Sequence, residues 1–373
     1  MCGPGKNRGA LWRFDRSEFA YARLREIIPM RLSELGEFGL IRAIQKRTPL
    51  TSSGLVIGIG DDAAALKVSA SNLLLATTDM LIEGVHFDLA YTDYYSLGWK
   101  SASVNLSDIA AMGGVPRTCL TSLGLPSSFS AENVLEIYRG LNTVLRRNAT
   151  SLAGGDTCSS KKGMIVSVTL LGEAKPKDMV SRSGAMPGDL ICVTGTLGDS
   201  AAGMEILQKR IKAERSKYQT NGSAFLSSYS SLIERHLRPV PRVAWGRKIA
   251  CAGCANAMID ISDGLSSDLR HICEQSKTGA IVYADRIPLS LPLLRSVNSL
   301  NELPLTYALS GGEDYELLFT VPRSKVKRLK GLSLPVTEIG EVVKGKNIVI
   351  QDADGRKRQL ASGGFDHFGG GKI

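Results

Sequence analysis

The sequence predicts a two-domain protein of mixed α/β (α+β) class, on three observations. The chain has 373 residues, more than one ordinary hydrophobic core accommodates. Apolar runs of strand length alternate with stretches of helical spacing in two successive blocks, as expected for sheets covered by helices. The rhythm breaks around Lys175-Pro-Lys-Asp178 and then resumes.

Residues 1–35 carry scattered Arg without a clear apolar period and read as a poorly ordered N-terminal extension, or as sequence upstream of a start at Met30. Asp15, Glu18 and Glu26 argue against a transit peptide. A first domain is expected over residues 36–176. Leu55–Ile59 and Leu73–Ala76 are short strands that each feed an acidic turn. Tyr94–Met112 has helical spacing and is stopped by Gly113-Gly114-Val-Pro116. Ala131–Arg147 is a second helix, Ser151-Leu-Ala153 leads into Gly154-Gly155-Asp156-Thr157, and Met164–Gly172 is a strand. A second domain, residues 177–373, repeats the theme. Leu190–Thr194 is a strand before a glycine turn and a helix, and Asn256–Asp260 runs through Ser-Asp-Gly into a helix through His271.

Composition narrows the class. Hydrophobic residues make up 43% and charged residues 22%, which describes a soluble globular protein. No apolar run approaches the about 20 residues that span a bilayer, so no membrane partner is expected. The formal charge is +10, but Lys and Arg are dispersed and no nucleic-acid motif is present. An anionic substrate accounts for the excess better than nucleic acid does. Seven cysteines, an odd number, point to a reducing, cytoplasmic setting. Cys251-Ala-Gly-Cys254 has no second pair or nearby His and reads as structural rather than zinc-binding.

Two familiar motifs fail on context. Gly58-Ile-Gly60-Asp-Asp-Ala63 fits a dinucleotide fingerprint, but its two carboxylates would face the pyrophosphate and the next strand follows too soon for a crossover helix. Gly340-Glu-Val-Val-Lys-Gly345-Lys346-Asn347 ends in Asn where a P-loop needs a hydroxyl. It reads as the turn of a hairpin between Val336–Ile339 and Asn347–Ile350.

What remains is a series of acidic motifs among Gly, Ser and Thr. They are Gly58-Ile-Gly-Asp61-Asp62, Thr77-Thr78-Asp79, Asn105-Leu-Ser-Asp108, Gly154-Gly155-Asp156-Thr157, Asp260-Ile-Ser262-Asp263-Gly264 and Gly311-Gly312-Glu313-Asp314-Tyr315. Any one could turn the chain or cap a helix, as Asp263 would before the helix that follows it. Together, in a basic chain, they suit a site for hard cations and a polyphosphate, because Mg²⁺ binds carboxylates and phosphates at once.

In that order, with Gly36-Glu-Phe-Gly-Leu-Ile41, Glu83-Gly-Val-His86-Phe87, Arg182–Asp189, Ser310–Leu317 and Gly364-Phe-Asp-His-Phe368, these motifs resemble the thiamine-monophosphate kinase family. That family lies in the superfamily of aminoimidazole ribonucleotide synthetase and selenophosphate synthetase, and the resemblance runs over residues 36–368. It implies transfer of the γ-phosphate of ATP, as co-substrate, to thiamine monophosphate, assisted by several Mg²⁺ ions. It implies metal ligation by Asp62, Thr77, Thr78, Asp79, Asp108, Asp156, Asp260 and Asp263, and ATP contacts from Gly155, Asp156, Arg182 and Ser262. His86, Glu313 and Phe365 would meet the thiamine phosphate. It further implies a homodimer in which N-terminal sheets pair, with a C-terminal α/β sandwich domain.

The residue chemistry is compatible. A phosphate-monoester acceptor is already ionised at neutral pH, so no general base is required and the task is to bring two polyanions into line. His86, His236, His271 and His367 therefore read as structural or binding groups. Another enzyme of the same superfamily, acting on a different phosphate acceptor, is the main alternative. The chain ends Gly-Gly-Gly-Lys-Ile373, without the terminal Cys expected of a hydrogenase-maturation relative. A non-catalytic RNA-binding module has only the net charge in its favour.

Overall fold

Alternation of buried and exposed residues builds the first sheet. The computed structural model describes residues 39, 41–42, 55–68, 71–215 and 229–360. Its first sheet contains β1 (Leu55–Ile57), β2 (Ala64–Lys67), β3 (Leu73–Ile82), β4 (Val115–Leu125), β5 (Ser151–Ser159) and β6 (Ile165–Ala174), in the order β1-β2-β3-β6-β4-β5. Along β3, Leu73, Leu75, Thr77 and Leu81 are buried, whereas Thr78, Met80 and Ile82 face the open side. Only β4 and β5 pair in parallel; their connection is therefore a crossover through a helix, α2 (Ala131–Arg147).

Helix α1 (Tyr94–Ala111) lies with α2 on the covered face of this sheet. Asp93 caps α1 by accepting the Ser96 amide at 2.8 Å, and Ser130 caps α2. The two helices touch at backbone distance: a Cβ on Gly98 would lie 1.8 Å from the Ile137 carbonyl oxygen, and one on Gly140 would lie 1.8 Å from that of Tyr95.

The second sheet holds β7 (Leu190–Thr194), β8 (Ala257–Asp260), β9 (Gly279–Tyr283), β10 (Leu317–Val321), β11 (Val336–Val343), β12 (Ile348–Gln351) and β13 (Lys357–Gln359), in the order β13-β12-β9-β11-β7-β10-β8. β7, β8 and β10 are buried throughout, which explains their predominantly apolar composition. Alternate β7 residues enter different cores. Ile191 and Val193 pack with Leu265 and Leu269 of α6 (Leu265–Ser276). Leu190 and Cys192 pack with Ile249 of α5 (Val243–Cys251). Helices α3 (Asp199–Arg215), α4 (Ser230–Leu237), α7 (Leu291–Arg295), α8 (Pro304–Ser310) and α9 (Val326–Lys330) complete the described helical set.

Helix α1 serves both halves. Its Leu97, Leu106 and Ile109 belong to the first core, while Ala110 and Ala111 join the core around Leu190 and Ile249. The Trp99 indole donates to the Pro239 carbonyl at 2.7 Å.

The structure corrects three local expectations. Thr77-Thr78-Asp79 and Gly154-Gly155-Asp156-Thr157 lie within β3 and β5 rather than in turns after them. The acidic residues there replace apolar ones without ending the ladder. Val336–Ile339 and Asn347–Ile350 do not form a hairpin, because β9 lies between β11 and β12 and pairs with both. Gly279 makes that insertion possible, since a Cβ there would sit 2.5 Å from the Asn347 carbonyl oxygen. Asp263 is not the N-cap of α6; Gly264 holds that position at φ +108°. Asp268, within the helix, accepts the amides of Asp263 at 3.2 Å and Gly264 at 3.1 Å.

Candidate active site

A cleft of about 2020 Å³ opens where the β1–β2 turn, β3 and α1 face the ends of β8 and α6 and the loop before β10. Its acidic floor is nonlocal. β3 carries Thr77 and Asp79 on its covered face, α1 carries Asp108, the β1–β2 turn carries Asp62, and β8 ends at Asp260. One carboxylate oxygen each from Asp62, Asp108 and Asp260 lies within 4.8 Å of the others. The Thr77 hydroxyl donates to Asp108 Oδ2.

Crowding of buried like charges is visible in their protonation. Burial, and then the charge of Asp62, pushes Asp79 up to about 6 and Asp260 up to about 8. Asp108 is raised well above the ordinary carboxylate value by burial and by Asp79, Asp260 and Asp62. Asp61 is raised to about 6 by burial and its neighbour Asp62.

One cation answers this cluster among the described residues. The Arg182 guanidinium donates to Asp62 Oδ1 at 2.6 Å, and its backbone amide donates to Asp61 at 3.2 Å. Burial opposes its charge most strongly, but the carboxylates of Asp62, Asp61 and Asp260 together outweigh it and hold Arg182 firmly protonated. Asp62 Oδ2 is buried and has no hydrogen-bond partner among the described residues.

The remaining candidates divide. Ser262 lines the cleft, and its carbonyl accepts the Glu313 amide at 2.7 Å. His86 also lines it, with Nδ1 accepting the Ile82 amide at 3.0 Å. Glu313 faces the cleft and is bound by Lys100. Asp263 gathers instead with Asp268 and His271, again within 4.8 Å. Thr78 points to the opposite sheet face, where its hydroxyl meets the Val168 carbonyl and Thr169 at 3.1 Å.

Asp156 and Gly155 lie apart from this group, on the edge strand β5, in a shallow depression of about 520 Å³ beside Tyr138. Gly155 shares a register row with Asp79 through Thr121 and Val168. Three strand spacings, about 14 Å, separate them. Gly155 has a structural requirement of its own, because a Cβ would lie 1.8 Å from the Thr121 carbonyl oxygen. Phe365 lies outside the described residues.

Sequence reasoning missed Lys100, Tyr315 and Asp268, and it read His236 as a structural or binding group without placing it beside Glu313. Lys100 and Tyr315 line the cleft. The Tyr315 phenol is raised well above its usual value by burial and by the carboxylates of Glu313, Asp79, Asp260 and Asp108. Its sole signal in the sequence was adjacency to Glu313. Cys254 is buried and Cys251 exposed, and neither joins a cluster of potential metal ligands among the described residues. No helix of the described residues is long and apolar enough to cross a membrane.

Residues 60–174 match the family described as AIR synthase related protein, N-terminal domain, and residues 186–353 match its C-terminal domain. The chain is similar to thiamine-monophosphate kinase of Aquifex aeolicus (strain VF5), 40% identical over 339 residues, covering 91% of this chain and 100% of the relative. The same enzyme of Bacillus subtilis (strain 168) is 36% identical over 339 residues, covering 90% and 100%. Among solved structures, AaThiL complexed with AMPPCP and TMP superposes with a TM-score of 0.78 at 38% identity, covering 91% of this chain and 99% of that one.

Proposed function

The chain belongs to the thiamine-monophosphate kinase family, and on that premise we propose that it catalyses ATP-dependent phosphorylation of thiamine monophosphate to thiamine diphosphate. The observation that carries the reading is the convergence of Asp62, Asp108 and Asp260 from both halves onto one cleft beside Arg182. The likeness to a kinase solved with AMPPCP and TMP supports the two substrates.

The donor set suits several hard divalent cations. It offers carboxylates, the Thr77 hydroxyl and the buried Asp62 Oδ2, all oxygen ligands of the kind Mg²⁺ prefers. Asp62, Asp79, Asp108 and Asp260 would hold such ions, with Asp263 on the neighbouring wall. Mg²⁺ bound there supplies the positive charge that lets two polyanions meet. Thr78 lines the cleft but turns its hydroxyl to the opposite sheet face, and Asp156 lies on a separate strand, so both are outlying members of the proposed group.

The chain's own residues then bind and orient. Arg182, anchored on Asp62, presents its guanidinium to the nucleotide, with Ser262 and Gly155 as backbone-lined contacts. His86 and Glu313 face the thiamine phosphate, together with Phe365 of the C-terminal segment. No side chain needs to take a proton, because the acceptor phosphate is ionised, and transfer proceeds in line.

The division at residue 176 is supported by the two sheets, which use residues 55–174 and 190–359. A homodimer paired through the N-terminal sheets is supported by the open face of the first sheet, where Met80 is 53% and Leu120 is 40% exposed. The odd count of seven cysteines supports a cytoplasmic setting.

The test is a product assay with purified protein, ATP and Mg²⁺, offering thiamine monophosphate and free thiamine separately and identifying products by phosphorus NMR. Thiamine diphosphate and ADP from the monophosphate alone is the expected result. ATP consumption with neither acceptor would move the function to another acceptor of the superfamily.

A further inference from the structure

Lys100 occupies a position where a lysine is costly. It lies in the middle of α1 with 2% of its surface exposed, and a buried ammonium needs close partners. Its partner is Glu313: Nζ lies 2.7 Å from Oε1 and donates to Oε2 at 2.8 Å. From the other side His236 of α4, itself buried, places Nδ1 3.2 Å from the same Oε2 and 3.2 Å from the Ser200 hydroxyl.

The backbone beneath Glu313 is equally constrained. Gly312, Glu313 and Tyr315 all have φ in the left-handed region, at +68°, +57° and +51°. The amides of Glu313 and Tyr315 are tied to the carbonyls of Ser262 at 2.7 Å and Ile261 at 2.9 Å. Such conformations in bulky residues persist where the surroundings over-determine them, and they cluster at ligand-facing positions. Glu313 nevertheless keeps 28% of its side chain open, and it lines the cleft with Tyr91 and Gln208. Each of its oxygens retains acceptor capacity beyond the protein donors.

A fold seeking stability alone would gain as much from an apolar trio of similar volume. A site that must present a fixed acceptor gains from this one. We propose that Lys100, assisted by His236, is a positioning residue that holds Glu313 as an oriented, ionised acceptor for the amino group on the heterocyclic part of the substrate. This rests on the thiamine monophosphate reading above and adds the determinant that selects an amino-bearing ring.

The experiment compares wild type, Lys100→Met, Lys100→Arg, Glu313→Gln and the double variant Lys100→Met/Glu313→Gln. It measures KM for each substrate, kcat, and the preference for thiamine monophosphate over the analogue whose ring amine is replaced by oxygen. Lys100→Met should raise KM for thiamine monophosphate about tenfold and erase most of the preference, because a polar site loses selectivity when its acceptor is no longer held. KM for ATP should change by less than about twofold, the range expected when a contact is remote from the nucleotide. Lys100→Arg, which keeps the charge, should restore the preference in part. The double variant leaves no uncompensated charge buried and should match Glu313→Gln alone, which keeps the test valid if Lys100→Met is unstable. An unchanged preference in Lys100→Met, or an equal rise in both KM values, overturns the positioning role. A wild type inert toward thiamine monophosphate but active on another acceptor overturns the functional reading and this inference with it.

Discussion

Asp108 and Asp260 bring carboxylate oxygens within 4.8 Å of one another, although one comes from the N-terminal helix α1 and the other from the edge strand of the C-terminal sheet. The juxtaposition depends on α1 being packed into both halves. It sets two buried like charges against folding and concentrates oxygen donors in the cleft, so stability and ligand binding are coupled at this point.

Replacing Asp260 by Asn should therefore separate the two. Activity at saturating Mg²⁺ is expected to fall at least about 100-fold, beyond the usual effect of residues that merely orient metal ligands. In Mg²⁺-free buffer the variant should melt at or above the wild-type temperature, because crowding with Asp62 is relieved. Added Mg²⁺ should raise the wild-type melting temperature by mass action and raise that of the variant less. Equal Mg²⁺ responses would remove Asp260 from the ligand set.

Asp156 tests a separate strand of the proposal. It is exposed on β5, so Asp156→Asn should leave the urea midpoint unchanged while lowering turnover by about tenfold or more. Near-normal turnover at saturating Mg²⁺ would exclude Asp156 as a ligand.

Gly246 fixes the approach of α5 to α1. A Cβ there would lie 2.1 Å from the Ala110 carbonyl oxygen, against backbone that cannot swing aside. Gly246→Ala should destabilise the protein by about 1–3 kcal/mol or more, and it should also reduce turnover, since Asp108 rides on α1. Unchanged stability in chemical denaturation would show that the two helices adjust freely.

Glu316 is fully buried, accepting from Arg235 and Arg242 at 2.7 Å and from the Thr194 hydroxyl at 2.7 Å. Glu316→Gln removes the buried carboxylate shared by the partly buried guanidinium groups of Arg235 and Arg242, leaving Arg235 with Asp199 at 3.9 Å, and should cost about 3–5 kcal/mol. The check is a urea titration. A loss under about 1 kcal/mol, typical of exposed pairs, would mean that the arginines find other partners.

His236 confers a pH dependence on stability. Burial, and then the charge of Lys100, lowers its pKa below the unfolded value of 6.5, against the pull of Glu313. The unfolded chain thus binds this proton more readily than the folded one. The stability associated with a neutral His236 is complete above the unfolded value and is lost as pH falls from there through the lower folded value. Urea midpoints at about pH 7 and about pH 5 should differ more in wild type than in His236→Gln. Identical differences would show that His236 does not titrate in this range.

Much was legible in the sequence because it is local. The span Ala131–Arg147 is the observed helix α2, and β7 coincides with the apolar run Leu190–Thr194, since apolar period and capping residues are properties of neighbours in the chain. The acidic motifs were visible for the same reason. Their fates were decided by tertiary structure. In Glu313-Asp314-Tyr315-Glu316, consecutive side chains go to Lys100, to the amides at the start of α3, to the carboxylate cluster and to two arginines. Adjacent Thr77 and Thr78 point to opposite sheet faces, an outcome of strand pleat that a turn assignment concealed. Lys100 carried no sequence signal, and His236 could be read only as a structural or binding group, because a lysine or histidine on a helix looks the same whether solvent or a glutamate distant in sequence receives it. By itself the sequence determined which elements form and which chemistry they carry. The packing of α1 between two sheets decided which of those groups meet, because burial and charge pairing depend on distance in space rather than along the chain.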